Sequence, residues 1–351
     1  MNVKLTDLIN IYENEVKKNV KNKQKIFNFE KHKMEYLCDI KRVLDNDLYD
    51  GGKYNIFLIY EPKVRVIMSQ GIYDKIINHY VTRFILERKL SKYLEINNCA
   101  TRKNMGTNYA LQLFKKEIEK FKKYDTFYFL KLDISKYFYS INHDVLKSLL
   151  LNDLNEKEYN LFSKIIDSTN KDYINKKISY LENKLNKKIP KYEFGCGLPI
   201  GNLTSQFLAI FYLNRLQHYI THNLHVKFIN YMDDYIFIHE SKNYLNKFLK
   251  EIEKILNEKY KLKINERKTF ISSSKGGITF LGYLFKVKNK KTIIKITNVG
   301  KRNIRKGIKR TKYLYNNGYI NFSSYFSSIM SIKHSHNLLS EYKINEIINN
   351  G

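Results

Sequence analysis

Residues 228–240, Phe-Ile-Asn-Tyr-Met-Asp-Asp-Tyr-Ile-Phe-Ile-His-Glu, restrict the fold of this chain more than any other stretch. Two runs of β-branched and aromatic residues flank a short polar break, the pattern of two strands joined by a tight turn. Adjacent side chains in a strand point to opposite faces. Asp233 and Asp234 can therefore act together only if the break lies at the turn, where both carboxylates approach one point. Such a turn suits a divalent cation. The plainer alternative is a hairpin with a solvated Asp-Asp tip, because Asp is a common turn residue.

A second acid favours the first reading. Residues 127–134 read Phe-Tyr-Phe-Leu-Lys-Leu-Asp-Ile, a short apolar strand ending in Asp133. A carboxylate inside such a strand is costly to desolvate unless it is paired or bound to metal. Carboxylates from two strands can hold two Mg²⁺ ions about 3.5–4 Å apart, which activate an attacking hydroxyl and stabilise a leaving pyrophosphate. Mg²⁺ prefers a few carboxylates completed by substrate phosphates, so the pattern fits nucleotidyl transfer.

With 351 residues the chain can bury a sizeable core and divide into coupled subdomains. Its 29 Tyr and 21 Phe exclude general disorder, and 63 Lys+Arg against 34 Asp+Glu give a net charge of +29. That excess points to a polyanionic partner, nucleic acid above all, bound in a salt-dependent way. Drift toward an AT-rich coding composition accounts for part of the lysine, but not for its uneven placement. From Arg267 to Ser340 no Asp or Glu occurs. Lys301, Arg305 and Lys309 recur at helical spacing there, as do Arg302, Lys306 and Arg310, so one broad helix face is basic. Like charges at that spacing repel in an isolated helix, and a bound phosphate backbone removes the penalty. Cys38, Cys99 and Cys196 are scattered, so neither a zinc site nor a disulfide framework is indicated. No signal, lipidation or membrane-spanning pattern appears, which gives a cytoplasmic expectation without membrane partners.

The rest of the chain reads as follows. Met1 to about Ile26 has helical periodicity with a basic tail, open equally to solvent or RNA, and a second helix is expected near Phe29–Asp47. A turn at Asp50-Gly-Gly52 leads to a strand at Tyr54–Tyr60, then to an extended segment carrying Lys63 and Arg65. Asp74–Leu90 and Ala110–Phe121 read as helices, with the loop Asn98–Thr107 between them. Residues from about Asp144 to Tyr192 read as helices with no assignable chemistry. Three glycines and Pro199 keep the chain irregular from Gly195 to Leu203, ahead of a helix at Phe207–Ile220. Tyr244–Tyr260 is amphipathic, Leu262–Ile264 with Lys268 and Thr269 opens a strand, and Gly276–Tyr283 forms a hairpin.

Four motifs in order carry a resemblance: Asp133 with Phe138 five residues on, Gly197-Leu-Pro-Ile-Gly-Asn-Leu-Thr-Ser-Gln206, Tyr231-Met-Asp-Asp234 and Phe280-Leu-Gly-Tyr283. They resemble the motifs of reverse transcriptases, from about Tyr54 through the C-terminal region. The resemblance implies an α+β right-hand polymerase with fingers, a palm built on an antiparallel sheet, and a helical thumb. Its expected divisions are an N-terminal helical extension at 1–53, fingers with the start of the palm at 54–132, a palm at 133–285 with a fingers-type insertion at about 145–192, and a basic helical thumb at 286–351. It implies catalysis by Asp133, Asp233 and Asp234, and a metal set of Asp133, Ile134, Asp233 and Asp234 for two Mg²⁺ ions, with Mn²⁺ able to substitute.

Lys63, Arg65, Arg102 and Lys268 resemble cations that touch the incoming nucleotide, although each also fits a surface role. Phe138 resembles the aromatic that blocks a 2′-hydroxyl, with a core role as its alternative. Gly201 lets the backbone approach a base or template closely. Most of these enzymes carry Gln before that glycine and Pro at the motif's end. Ile200 and Gln206 stand there instead, as in the enzymes of diversity-generating retroelements, where the aliphatic residue implies poor discrimination opposite template adenine. An apolar side chain cannot hydrogen-bond the nucleotide, so a wrong base forfeits less. Such enzymes copy a structured RNA with a small basic accessory protein. The absence of Trp, notably from Phe322–Met330, departs from that group. It leaves an antiphage-defence enzyme, working from a noncoding RNA or without external template, as the alternative. The expected partners are an RNA template or noncoding RNA, the DNA product and dNTPs. An inactive RNA-binding scaffold is the contrasting class, and no protease, RNase H or endonuclease segment is evident.

Overall fold

The structure, a computed structural model, describes residues 2–60, 64–186 and 188–335. Lys63 lies outside the described residues, as does the last part of the segment expected to be thumb. Contacts divide the chain into two compact units. One comprises Met1–Glu95, Ile134–His218 and Lys254–Lys263, and the other Ile96–Asp133, Tyr219–Glu253 and Ile264–Gly351.

The first unit opens with helix Leu5–Ile11, which runs on through wider and tighter turns to Asn19 and buries Leu8, Tyr12 and Val16. It does not continue to Ile26 as its periodicity suggested. Val20 is extended, and the Asn22 side chain caps helix Lys23–Glu30 by accepting from the Lys25 N–H at 3.1 Å, the geometry that starts a new helix. A third helix spans Lys33–Asp45. Gly51 and Gly52 then turn the chain at positive φ into β1 (Asn55–Ile59), which pairs antiparallel with β2 (Arg65–Ser69). Ile56, Val66 and Met68 face inward and pack on Ile174 and Ile178 of helix Asp172–Leu185. Helix Ile72–Val81 and its continuation to Leu90 bury Ile76, Ile77, Val81 and Leu86.

The second unit is built on a four-stranded antiparallel sheet. Its order is β4 (Lys227–Tyr231), β5 (Asp234–His239), β3 (Tyr128–Asp133) and β6 (Phe270–Ser273). β6 begins at Phe270 rather than at Leu262, because Glu266–Lys268 form a turn whose Lys268 and Thr269 N–H groups donate to the Asn265 carbonyl. A second sheet orders β7 (Ile278–Phe280), β8 (Tyr283–Lys288) and β9 (Lys291–Ile296). Helix Thr107–Phe121 lies between the side chains of both sheets. The Phe114 ring meets Phe129 at 5.7 Å, Phe280 at 5.4 Å and Phe285 at 4.7 Å, edge to face. Helix Asn298–Asn316 adds Ile304 and Ile308 to the same core, and helix Phe322–Ser335 follows. The segment from residue 286 is therefore not wholly helical: β8 and β9 occupy it as far as Ile296.

Candidate active site

Alternation along β3 puts Lys131 and Asp133 on one face, and antiparallel register sets Asp133 directly opposite Asp234. Like charges in that relation destabilise a strand pair. β4 and β5 are joined by a two-residue turn, Met232-Asp233, so the three acids converge at one end of the sheet. Met232 takes φ +58, and the buried Asn230 amide holds the turn by donating to the Met232 carbonyl at 2.7 Å. Two-residue hairpin turns need positive φ, and a non-glycine residue there stores strain that recurs at functional sites. Arg102 belongs to a loop anchored on this sheet, because the Cys99 N–H donates to the Asn230 carbonyl at 3.0 Å. Its guanidinium donates to the Asn98 carbonyl at 3.1 Å.

Each opposed acid has a lysine. Lys268 Nζ donates to Asp133 Oδ2 at 2.6 Å while the Asn265 amide donates to Oδ1 at 2.9 Å. Lys131 Nζ reaches Asp234 Oδ2 at 3.2 Å and also donates to the Thr279 carbonyl at 3.1 Å. Burial pushes the Asp234 carboxyl above its ordinary range, Lys131 pulls it back, and the charges of Asp233 and Asp133 push it further up. Asp234 Oδ1 is buried without a hydrogen-bond partner among the described residues. A buried, acceptor-only oxygen beside two other carboxylates is suited to a hard cation, so the residues present fit divalent metal. Ile134, buried, can offer only its main-chain carbonyl.

Sequence reasoning passed over Lys131, Asn265 and Asn230. Lys131 was legible from alternation alone, since it stands two residues before Asp133 in an apolar strand. The two asparagines became visible only through the turns they hold.

In the first unit two backbone bonds tie segments that carry expected nucleotide-facing residues. The Leu198 N–H donates to the Phe138 carbonyl at 2.7 Å, and the Met68 N–H of β2 donates to the Ile200 carbonyl at 2.8 Å. Gly201 has φ +128, and a Cβ there would stand 3.0 Å from the Met68 carbonyl oxygen. Only glycine fits that approach. Gln206 lies half-buried in the first turn of helix Leu203–Tyr212, and Arg65 is exposed at the start of β2. Phe138 is half-buried and edge-on to Tyr137 at 6.2 Å. Among the thumb cations, Lys301 is half-buried while Arg302, Arg305, Lys306, Lys309 and Arg310 are exposed.

A sheet end carrying three converging acids, within an α+β fold, defines the palm of a right-hand polymerase. The chain belongs to the reverse transcriptase (RNA-dependent DNA polymerase) family, whose match covers residues 61–285. That family comprises nucleotidyltransferases. No curated protein matches the chain. Among solved structures, an apo telomerase from Candida Tropicalis, truncated from its C-terminal domain, is similar with a TM-score of 0.45 and 17% identity. The similarity covers 70% of this chain and 55% of that one, so this chain spans about half the telomerase's length. No helix among the described residues is long and apolar enough to cross a membrane.

Proposed function

We propose that the chain is an RNA-directed DNA polymerase that extends a DNA strand on an RNA template. The observation that carries this reading is the register of Asp133 opposite Asp234, with Asp233 in the adjoining turn and one buried Asp234 oxygen left without a partner among the described residues. Asp133, Asp233 and Asp234 would hold Mg²⁺ or Mn²⁺, with the Ile134 carbonyl as a further donor. Bound there, divalent ions supply charge neutralisation and Lewis acidity at the reacting phosphate. The residues' own part is to fix donor positions. Asn265 orients Asp133, the strained Met232 turn presents Asp233, and Lys268 and Lys131 donate to Asp133 and Asp234. On the family resemblance, Lys63, Arg65 and Arg102 contact the triphosphate, Phe138 excludes ribonucleotides, and Ile200, Gly201 and Gln206 line the nucleotide's base. The basic face of helix Asn298–Asn316 grips the phosphate backbone, as a thumb. Primer extension on a defined RNA template tests the activity: Asp233→Ala/Asp234→Ala should abolish synthesis while RNA binding survives. Synthesis retained in that variant would overturn the reading.

Within this activity, Ile200 and Gln206 support error-prone copying of a structured RNA, as in a diversity-generating retroelement served by a small basic accessory protein. The chain's lack of Trp supports the second reading, an antiphage-defence enzyme. Deep sequencing of product from wild type and Ile200→Gln separates them. High error opposite template adenine that falls roughly tenfold in the variant, about 1.4 kcal/mol of regained discrimination, supports the first. Product unrelated to the supplied template supports the second.

A further inference from the structure

The loop at 195–201, which carries Ile200 and Gly201, has little of its own to hold a shape. Gly195 and Gly197 bring no side chain, and Pro199 brings no N–H. Gly197 stands at φ +91, and a Cβ there would lie 2.5 Å from the Tyr192 ring, so no larger residue can anchor the loop from within. Its shape is set by neighbours. The Gly197 N–H donates to the Ile141 carbonyl at 2.7 Å. The Gly197 carbonyl is held by side chains instead: His143 Nε2 lies 2.8 Å from the oxygen, and the Thr169 hydroxyl donates to it at 3.1 Å.

His143 is 1% exposed and Thr169 2% exposed. A carbonyl oxygen only accepts, so Nε2 carries the hydrogen of this bond in either charge state of the ring. The other ring nitrogen, Nδ1, lies 3.1 Å from Asp167 Oδ1, and Lys147 Nζ donates to Asp167 Oδ2 at 2.6 Å. The main-chain N–H of His143 donates to the Gly195 carbonyl at 2.9 Å. One residue therefore grips the loop at two carbonyls, while Asp167 fixes the orientation of its ring. Packing alone does not account for it, because a buried polar ring costs desolvation that an apolar side chain avoids. Leu146, Leu149 and Leu150 already fill the core from the same helix, His143–Leu150. Three residues beyond Gly197, the Ile200 carbonyl accepts from the Met68 N–H of β2. The loop is thus held at both ends, and releasing the Gly197 end frees Pro199 and Ile200 to shift. A displacement of about 1 Å at a residue facing the reacting nucleotide is enough to be felt.

We propose that His143 is a positioning residue for nucleotide selection: its Nε2–H holds the Gly197 carbonyl, so that Ile200 and Gly201 keep their place against the incoming nucleotide. The proposal rests on the polymerase reading above, in which this loop lines the nucleotide's base, and its test separates the two. His143→Gln and His143→Asn divide the two ring contacts, because a glutamine amide reaches the place of Nε2 and an asparagine amide that of Nδ1. Hydrogen exchange of the loop amides is read in protein without nucleotide or divalent ion. Single-nucleotide insertion is read on a primed RNA template. His143→Asn should speed exchange of the Gly197 and Leu198 N–H groups. It should also raise the KM for the correct dNTP roughly two- to tenfold, the factor that one net hydrogen bond supplies, with kcat changed less than about twofold. His143→Gln should restore both toward wild type. Thr169→Val removes the second donor with little change of volume and should act in the same direction as His143→Asn. It carries the test if His143→Asn does not fold.

Wild-type exchange and KM in both His143→Asn and Thr169→Val would overturn the proposal. So would equal impairment of the Gln and Asn variants, which would mark the ring as packing, or a loss confined to kcat. An inactive wild type whose loop exchange follows the division between Gln and Asn would strike the polymerase reading alone. Normal insertion, with exchange and KM blind to that division, would strike His143 alone.

Discussion

The Asp234 carboxyl titrates above the ordinary aspartate range, because burial and the charges of Asp233 and Asp133 outweigh the pull of Lys131. A raised folded-state pKa makes this group's contribution to stability full below the ordinary aspartate range and lost as pH rises through the raised value. Asp234→Asn should therefore raise the melting temperature of metal-free protein, and more so at higher pH, while abolishing synthesis. A divalent ion competes with the same proton, so Mn²⁺ should raise the wild-type melting temperature increasingly with pH and leave Asp234→Asn unmoved. Scanning fluorimetry across pH with and without Mn²⁺ reads both outcomes, and a stabilisation by Mn²⁺ independent of Asp234 would contradict them. At Phe138 the expectation is steric. Phe138→Val should admit ribonucleotides, with deoxy-over-ribo selectivity falling roughly tenfold or more. Unchanged selectivity in a well-folded variant would leave Phe138 as a core residue beside Tyr137.

The turn joining β4 to β5 is the element that presents Asp233, and Met232 at φ +58 carries its strain. A side chain in that conformation costs about 1–2 kcal/mol. Met232→Gly should accordingly raise unfolding stability by about 1 kcal/mol and slow synthesis by loosening the tip, as read by denaturant midpoint and by extension rate. Strain was not legible in the sequence, because Met carries no mark of left-handed backbone. The hairpin itself was legible, since β-branched and aromatic runs bracket the acids without competing signals. The glycine loop was readable for a similar reason. Gly201 was expected to bring the backbone close to a base or template, and the approach the structure shows is to the Met68 carbonyl of β2. Missed features share a different cause. Lysines punctuate β9 (Lys-Thr-Ile-Ile-Lys-Ile) and mask a strand whose Thr292 hydroxyl donates to Glu119 at 2.8 Å. At the N-terminus, periodicity ran through Asn22 although its capping side chain ends one helix and begins another. Lys268 was expected beside a triphosphate, and its observed place on Asp133 depends on a turn at residues 266–268 that composition does not announce.

Over the whole chain the charge is distributed by sign as well as by amount. Acids pair locally with lysines and arginines in the N-terminal helices, as in Lys33 with Glu13 and Lys41 with Asp45. Helix Asn298–Asn316, by contrast, contains no acid and keeps Ile304 and Ile308 inward. Neutralising Arg302, Arg305 and Lys309, all exposed, should weaken RNA binding and lower the slope of log affinity against log salt by about 0.7–0.9 per lost contact. An unchanged slope would mean that the face is solvated rather than bound. The two lysines at the sheet end have a consequence for handling the protein. Lys131 donates to Asp234 and Lys268 to Asp133, so part of the acids' charge is met from within the fold without metal. A chelator should then idle this protein without denaturing it: EDTA-treated material should keep its circular dichroism, survive storage, and resume synthesis on adding magnesium back, with no refolding lag.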